Sequence, residues 1–478
     1  MIRSGFTAGI AKTLSRPSSS GTIPQFRANR RSTSFSGKRF FSQSSTAWTK
    51  VRQRPIEYLS IPCVAAFVGI TTNWMGVKML FYPIEYFGLD YRRWPDTPYG
   101  LWGWQGVVPC KTQIMAQRLV KIVTQRLLSL EEAFGRLDPQ KLAMLLMPAL
   151  EDAIRKDLGD AAWRTLQPVL PILLPRVLSH LQRDISMVLD LEYVVESAFL
   201  RDKVVLVDLF QKVGRVELEF LVNSGFGFGF LLGLGQMVLW ARHPASWTLP
   251  AAGALVGYVT NWIAIKLLFE PAEPYPIAGP IVLQGLFESR QIEVSDEFGA
   301  FMEDRVLNST ALLRNLAAND DEGELFAFLR RELPWVPAPI RLAAVRAVAR
   351  AADHPDRYPE LHQYVREHLD ISATLASRLK LLSPTDFEDL LHPVFQEDEI
   401  TLIATGGVLG LAAGLLQTRL GWGGPQARTR ALSTIGICLL SSALLYGHQK
   451  QEEAEDPPFV STERPHLRRR PTILRVEE

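Results

Sequence analysis

The sequence predicts an all-α integral membrane protein with four to five transmembrane helices and two extramembrane helical domains, arising from an internal tandem repeat. Three observations predict it. Apolar runs of about the ~20 residues that cross a ~30 Å hydrocarbon core stand between stretches of ordinary charge. The runs match one another when the chain is laid over itself. The intervening stretches carry apolar residues at three- and four-residue spacing, the period of an amphipathic helix.

Composition bounds the function classes. The 478 residues carry a formal net charge of +2, with 21% charged and 47% hydrophobic side chains. After residue 50 no contiguous basic face of the kind that neutralises phosphates appears, so nucleic acid is not an expected partner. Three cysteines, Cys63, Cys110 and Cys438, show neither CxxC nor Cys/His spacing. That excludes a disulfide framework or a zinc site as an expectation.

Residues 1–50 hold nine Lys or Arg, eleven Ser and no acidic residue, the composition of an organelle presequence. The apolar core of a secretory signal is missing. The stretch Arg39-Phe40-Phe41-Ser42 resembles a matrix-protease cleavage pattern. The expected location is the mitochondrial inner membrane, with a plastid membrane as the alternative.

The first unit is expected at 58–240, with membrane helices at 58–81 and 220–240 around a helical domain at 111–218. The second is expected at 249–420, with membrane helices at 249–269 and 401–417 around a helical domain at 285–399. A run at 431–447 would add a fifth helix, and 448–478 reads as a disordered tail. Shifted by 188 residues, 62–83 falls on 250–271 with 11 of 22 positions identical, including Thr72, Asn73, Trp74, Lys78 and Pro83. At a shift of 181, Gly225, Gly229, Gly233 and Gln236 fall on Gly406, Gly410, Gly414 and Gln417. Two crossings per unit give both copies one orientation, the parallel-repeat arrangement. Between the membrane runs Asp138-Pro139 reads as an N-cap and first-turn proline, and 322–331, 338–353 and 372–382 continue the helical pattern. No period-2 alternation bounded by turns suggests a hairpin.

Lys50, Arg52, Arg54, Arg242, Arg419, Arg428 and Arg430 gather on one side of the expected helices. Residues 111–218 balance 15 basic against 14 acidic residues. The positive-inside rule then places the domains in the intermembrane space.

Thr72, Asn73 and Lys78, with Thr260, Asn261 and Lys266, are the candidate functional polar groups in membrane helices. A lysine near a helix centre costs roughly 2.5–3.5 kcal/mol on insertion scales, which favours a role. Each also lies within five residues of a terminating proline, so its stem can carry the ammonium to the interface, and Trp74 and Trp262 sit one turn earlier for a cation–π contact. The Asn and Thr pairs suit hydrogen bonds between helices. Gly225, Gly229, Gly233, Gly406, Gly410 and Gly414 mark a small-residue face for helix packing, either opening helix on closing helix or one copy of the chain on another as a homo-oligomer. Neither a metal site, a cofactor motif nor an enzyme constellation is found, and His392 reads as an ordinary surface or cap histidine.

The stretch Gly257-Tyr-Val-Thr-Asn-Trp-Ile-Ala-Ile-Lys-Leu-Leu-Phe-Glu-Pro271 resembles the opening signature of the domain of unknown function 445 (DUF445) membrane proteins. Gly106-Val-Val-Pro109-Cys-Lys111 resembles their Gly-x-x-Pro-x-Lys/Arg element, which departs from the pattern in the second copy, where Glu288 replaces the proline. Thr405-Gly-Gly-Val-Leu-Gly410 resembles their closing helix. The resemblance covers about 58–447 and implies a membrane protein without an assigned activity. The expected function is a non-enzymatic scaffold or lipid-handling protein, partnered by the bilayer and a bound lipid; the alternative is a transporter or channel lined by the paired Asn and Lys positions.

Overall fold

The computed structural model describes residues 49, 51–93, 97–278, 281–388 and 399–419. The expected presequence, fifth helix, C-terminal tail, Cys438 and His392 lie outside the described residues. Among the described residues four helices are long and apolar enough to cross a membrane: Pro55–Phe81, Arg215–Arg242, Thr248–Phe269 and Glu399–Arg419. They are called here the first opening, first closing, second opening and second closing helices.

Both opening helices start on proline within their first turns and stop the same way. Pro55 and Pro250 occupy early positions where a missing N–H costs nothing. At the far end Tyr82 N–H bonds to the Lys78 carbonyl (2.8 Å) and Glu270 N–H to that of Lys266 (2.7 Å). Pro83 and Pro271 follow at once and end the ladder. The first closing helix keeps five glycines in 28 residues. In water each would cost roughly 1 kcal/mol against alanine. In hydrocarbon an unwound backbone has no water to bond, so the helix persists.

Each opening helix packs along its own closing helix. The domain-side ends of all four helices then coincide: Phe81 and Phe269 leave the membrane where Arg215 and Glu399 enter it. The connection between Arg242 and Thr248 lies at the opposite end.

Helices of the stretch 107–213 and helices of the stretch 286–380 interlock around one hydrophobic core. Their opening elements match closely. Thr112–Ile122 and Gln291–Phe301 are eleven residues each, and each runs into a five-residue π-helical turn, Val123–Leu127 and Met302–Val306. Within each stretch a later helix covers the first: Leu191–Arg201 lies on Thr112–Ile122, and Ile371–Lys380 on Gln291–Phe301. Between the stretches, Pro139–Leu158 packs against Ala338–Asp353. Both helices bury alanines, Ala143, Ala149 and Ala153 on one and Ala343, Ala347 and Ala351 on the other. Asp138 caps the first by accepting from the Gln140 N–H (2.9 Å), as its sequence position predicts.

Charged clamps close this junction. Arg350 bonds the Asp157 carboxylate (2.8 Å) and the Asp152 carbonyl (3.0 Å). Arg136 donates to Thr374 Oγ1 (2.7 Å) and the Leu369 carbonyl (3.1 Å). Tyr358 donates to Asp152 Oδ2 (2.7 Å). Its burial and that carboxylate push the phenol up to about 12.

Two short hairpins, unexpected from the sequence, follow the opening helices. Strand β1 (Phe87–Arg93) pairs antiparallel with β2 (Tyr99–Trp104), and β3 (Tyr275–Ala278) with β4 (Ile281–Leu283). Irregular register in both ladders hides the clean alternation that reveals a hairpin in a sequence.

Candidate functional site

The polar and small residues singled out by the sequence converge on the two helix pairs. A Cβ on Gly69 would overlap the Gly225 carbonyl, and one on Gly225 the Gly69 carbonyl. Gly229 lies against the Ala65 carbonyl and Gly233 against Pro62. The second pair repeats the arrangement: Gly257 against Gly406, Gly253 against Gly410, and Gly414 against Leu249 and Pro250. The glycine faces are therefore occupied within each pair. These positions tolerate no side chain, because the neighbour is backbone.

Asn73 and Asn261 stitch the same pairs. Asn73 Nδ2 donates to the Leu221 carbonyl (2.5 Å), and Asn261 Nδ2 to that of Leu402 (2.8 Å). They are 3% and 5% exposed, and neither Oδ1 has a hydrogen-bond partner among the described residues. The threonines differ from expectation. Thr72 donates to Gly69 (2.9 Å) and Thr260 to Val256 (2.7 Å), both in their own helices. A short hydroxyl reaches the carbonyl one turn back more easily than a neighbouring helix.

The lysines sit at helix ends. Lys78 Nζ lies 5.7 Å from the Tyr82 ring, and Lys266 Nζ contacts Glu270 (2.5 Å). Trp262, an expected partner, faces outward. A lysine stem running to the water-side end of its helix meets the residues just past that end before it meets a ring a turn behind. A pocket lined by residues of all four helices, among them Gly69, Thr260, Gln236 and Gln417, has a volume of about 20 Å³. That is close to the volume of a single water probe.

Sequence reasoning missed the most unusual electrostatic cluster, where the membrane helices meet the helical body. Glu217, in the first turn of the first closing helix, is 2% exposed. Its Oε1 accepts from Arg290 Nη1 (2.6 Å), so a buried ion pair ties the first half to the second. Glu288 lies two residues before Arg290, 3% exposed, with no hydrogen-bond partner on either oxygen among the described residues. Burial pushes its pKa up to about 8, and Glu388 and Glu217 add to the rise. Glu288 is therefore protonated near neutral pH. The available signal was Glu288 standing three residues after Gly285, where Gly106-Val-Val-Pro109 has proline. Glu217 was hidden because the apolar run begins after it. Among the described residues, no group of three or more His, Cys, Asp or Glu could hold a metal ion.

A pH dependence follows. The folded-state pKa of Glu288 exceeds its ordinary 4.5, so its contribution is intact below pH 4.5 and is lost as pH rises to about 8. Stability should fall through that window by up to about 1.4 kcal/mol per pH unit. Thermal unfolding in detergent at pH 5 and pH 9 checks this. Glu288→Gln should flatten the difference; an unchanged pH profile would show that another group governs it.

No family model matches the chain, and no solved structure matches it significantly. Among curated proteins it is similar to a UPF0754 membrane protein of Staphylococcus aureus strain MRSA252, 31% identical over 83 residues. UPF0754 membrane proteins of strains JH9 and Newman are 30% identical over 83 residues. In each case the match covers 17% of this chain and 22% of the relative, so the chain spans about a fifth of the length of the curated relatives it matches. These relatives, the opening-helix signature and the four spanning helices together support a membrane protein similar to the DUF445 type.

Proposed function

We propose that the protein is a non-enzymatic, membrane-anchored helical body that handles lipid by holding part of an acyl chain. The observation that carries this reading is a cavity of about 100 Å³ inside the helical body. It is lined by Phe134, Leu146 and Leu178 from the first half and Phe328, Val348 and Val365 from the second. A void of that size costs roughly 2.4 kcal/mol at about 24 cal/mol per Å³. An apolar cavity of ~150 Å³ stays dry and takes up a benzene-sized group. The end of an acyl chain would offset that cost in the same way. The transport reading gains no comparable observation, since the Asn pair is engaged in packing and the Lys pair sits at helix ends.

Leu178→Trp would fill the cavity from a buried position. Native mass spectrometry after gentle extraction should show stoichiometric lipid on the wild type and its loss in Leu178→Trp, with cooperative unfolding kept. Equal lipid retention by both would sink the proposal.

The acid-free, Arg- and Ser-rich segment 1–50 supports residence in the mitochondrial inner membrane, and the basic connections support a body facing the intermembrane space. The paired identities and matching elements support a tandem duplication with both units oriented alike. Protease should then cut both 107–213 and 286–388 in mitoplasts and neither in intact mitochondria. Protection in mitoplasts, or cleavage of one half alone, would contradict this arrangement.

A further inference from the structure

The β1–β2 hairpin begins six residues past the end of the first opening helix, and its base is pinned to that end. Gly106 N–H bonds to the Pro83 carbonyl (2.8 Å), and Gln105 Nε2 donates to that of Ile84 (2.7 Å). On this ribbon Leu89 stands directly opposite Trp102, and Phe87 lies two residues along on the same face. These three side chains are 77% (Phe87), 70% (Leu89) and 70% (Trp102) exposed. Tyr99 is exposed on the same hairpin, and Tyr275 on the hairpin after the second opening helix.

Large apolar and aromatic side chains on one face of a two-stranded ribbon are unfavourable in water, and such a ribbon alone is marginally stable. Both hairpins emerge where the spanning helices leave the hydrocarbon, the level at which Trp and Tyr concentrate in membrane proteins. There the rings meet acyl and glycerol groups while the ribbon's unpaired edge groups can bond interfacial water and headgroups.

We propose that the β1–β2 hairpin is a membrane-interface finger, with Phe87, Leu89 and Trp102 seated in the headgroup–acyl boundary of the phospholipid bilayer that the four helices cross. Its partner is a lipid surface, and the contact is continuous with the lipid-facing surface of the opening helix. The finger widens the footprint of the helical body on the membrane and fixes its tilt through a point outside the helix bundle.

A nitroxide on Leu89→Cys tests this, in the full chain with Cys63, Cys110 and Cys438 replaced by alanine and reconstituted in phosphatidylcholine–cardiolipin vesicles. Power-saturation should show oxygen accessibility exceeding that of an aqueous nickel chelate. A matched label on Ile172→Cys, exposed on the helical body, should show the reverse. Water-like values at residue 89 would overturn the proposal. So would dipolar broadening between labels, which would place a second copy of the chain on the face. If the cysteine-free background fails to fold, tryptophan quenching by brominated lipid gives an independent reading. The wild type should lose a quenched component in Trp102→Tyr, and identical quenching in both would overturn the proposal.

Discussion

Within each half of this protein, two helix backbones approach so closely that a single added methyl group has nowhere to go. Gly69 meets Gly225, and Gly257 meets Gly406, backbone against backbone. In a bilayer the solvent gives helices no hydrophobic reason to associate. Dispersion at close range and a few interhelical hydrogen bonds must hold them. The Asn73–Leu221 and Asn261–Leu402 bonds supply the second, two turns or fewer from the glycine contacts. Glycine makes the approach sterically allowed and asparagine fixes its axial register.

Everything outside the membrane inherits that geometry. A paired opening and closing helix delivers both ends of one helical stretch to the same membrane face. Two such pairs deliver two stretches side by side, where their exposed apolar faces become one core. The Glu217–Arg290 ion pair then crosses from the first half to the second at the boundary. Breaking such a buried pair from one side leaves an uncompensated charge and typically costs about 3–5 kcal/mol. Glu288 beside it avoids that cost by staying protonated. The bundle and the body are thus joined at their most charge-sensitive layer.

The membrane helices and their small-residue faces were readable in the sequence because their causes are local and periodic. Glycine every fourth residue in Gly225, Gly229 and Gly233 can only make a helix stripe, and the Asn and Gly positions recur together. The lysines at 78 and 266 were ambiguous for a physical reason: a long stem near a helix end serves either a site or the interface, and only the neighbours Tyr82 and Glu270 decide. The threonine hydroxyls turned inward to their own helices, a choice that sequence spacing does not encode. The shared core was unreadable because Arg350 and Asp157 are far apart in the chain and nothing local pairs them. The hairpins escaped because irregular register erases the period of two.

The most direct measurement of this account is a pair of double-mutant cycles on thermal unfolding in bicelles. Gly69→Ala and Gly225→Ala each force the first helix pair apart, so the second substitution should cost little once the first is present. Their coupling should reach about 0.5–3 kcal/mol, the range for residues in contact. Gly69→Ala with Gly406→Ala, one from each pair, should add to within about 0.5 kcal/mol. Coupling confined to the cross-pair cycle, with additivity for Gly69 and Gly225, would contradict the claim that each half closes on itself.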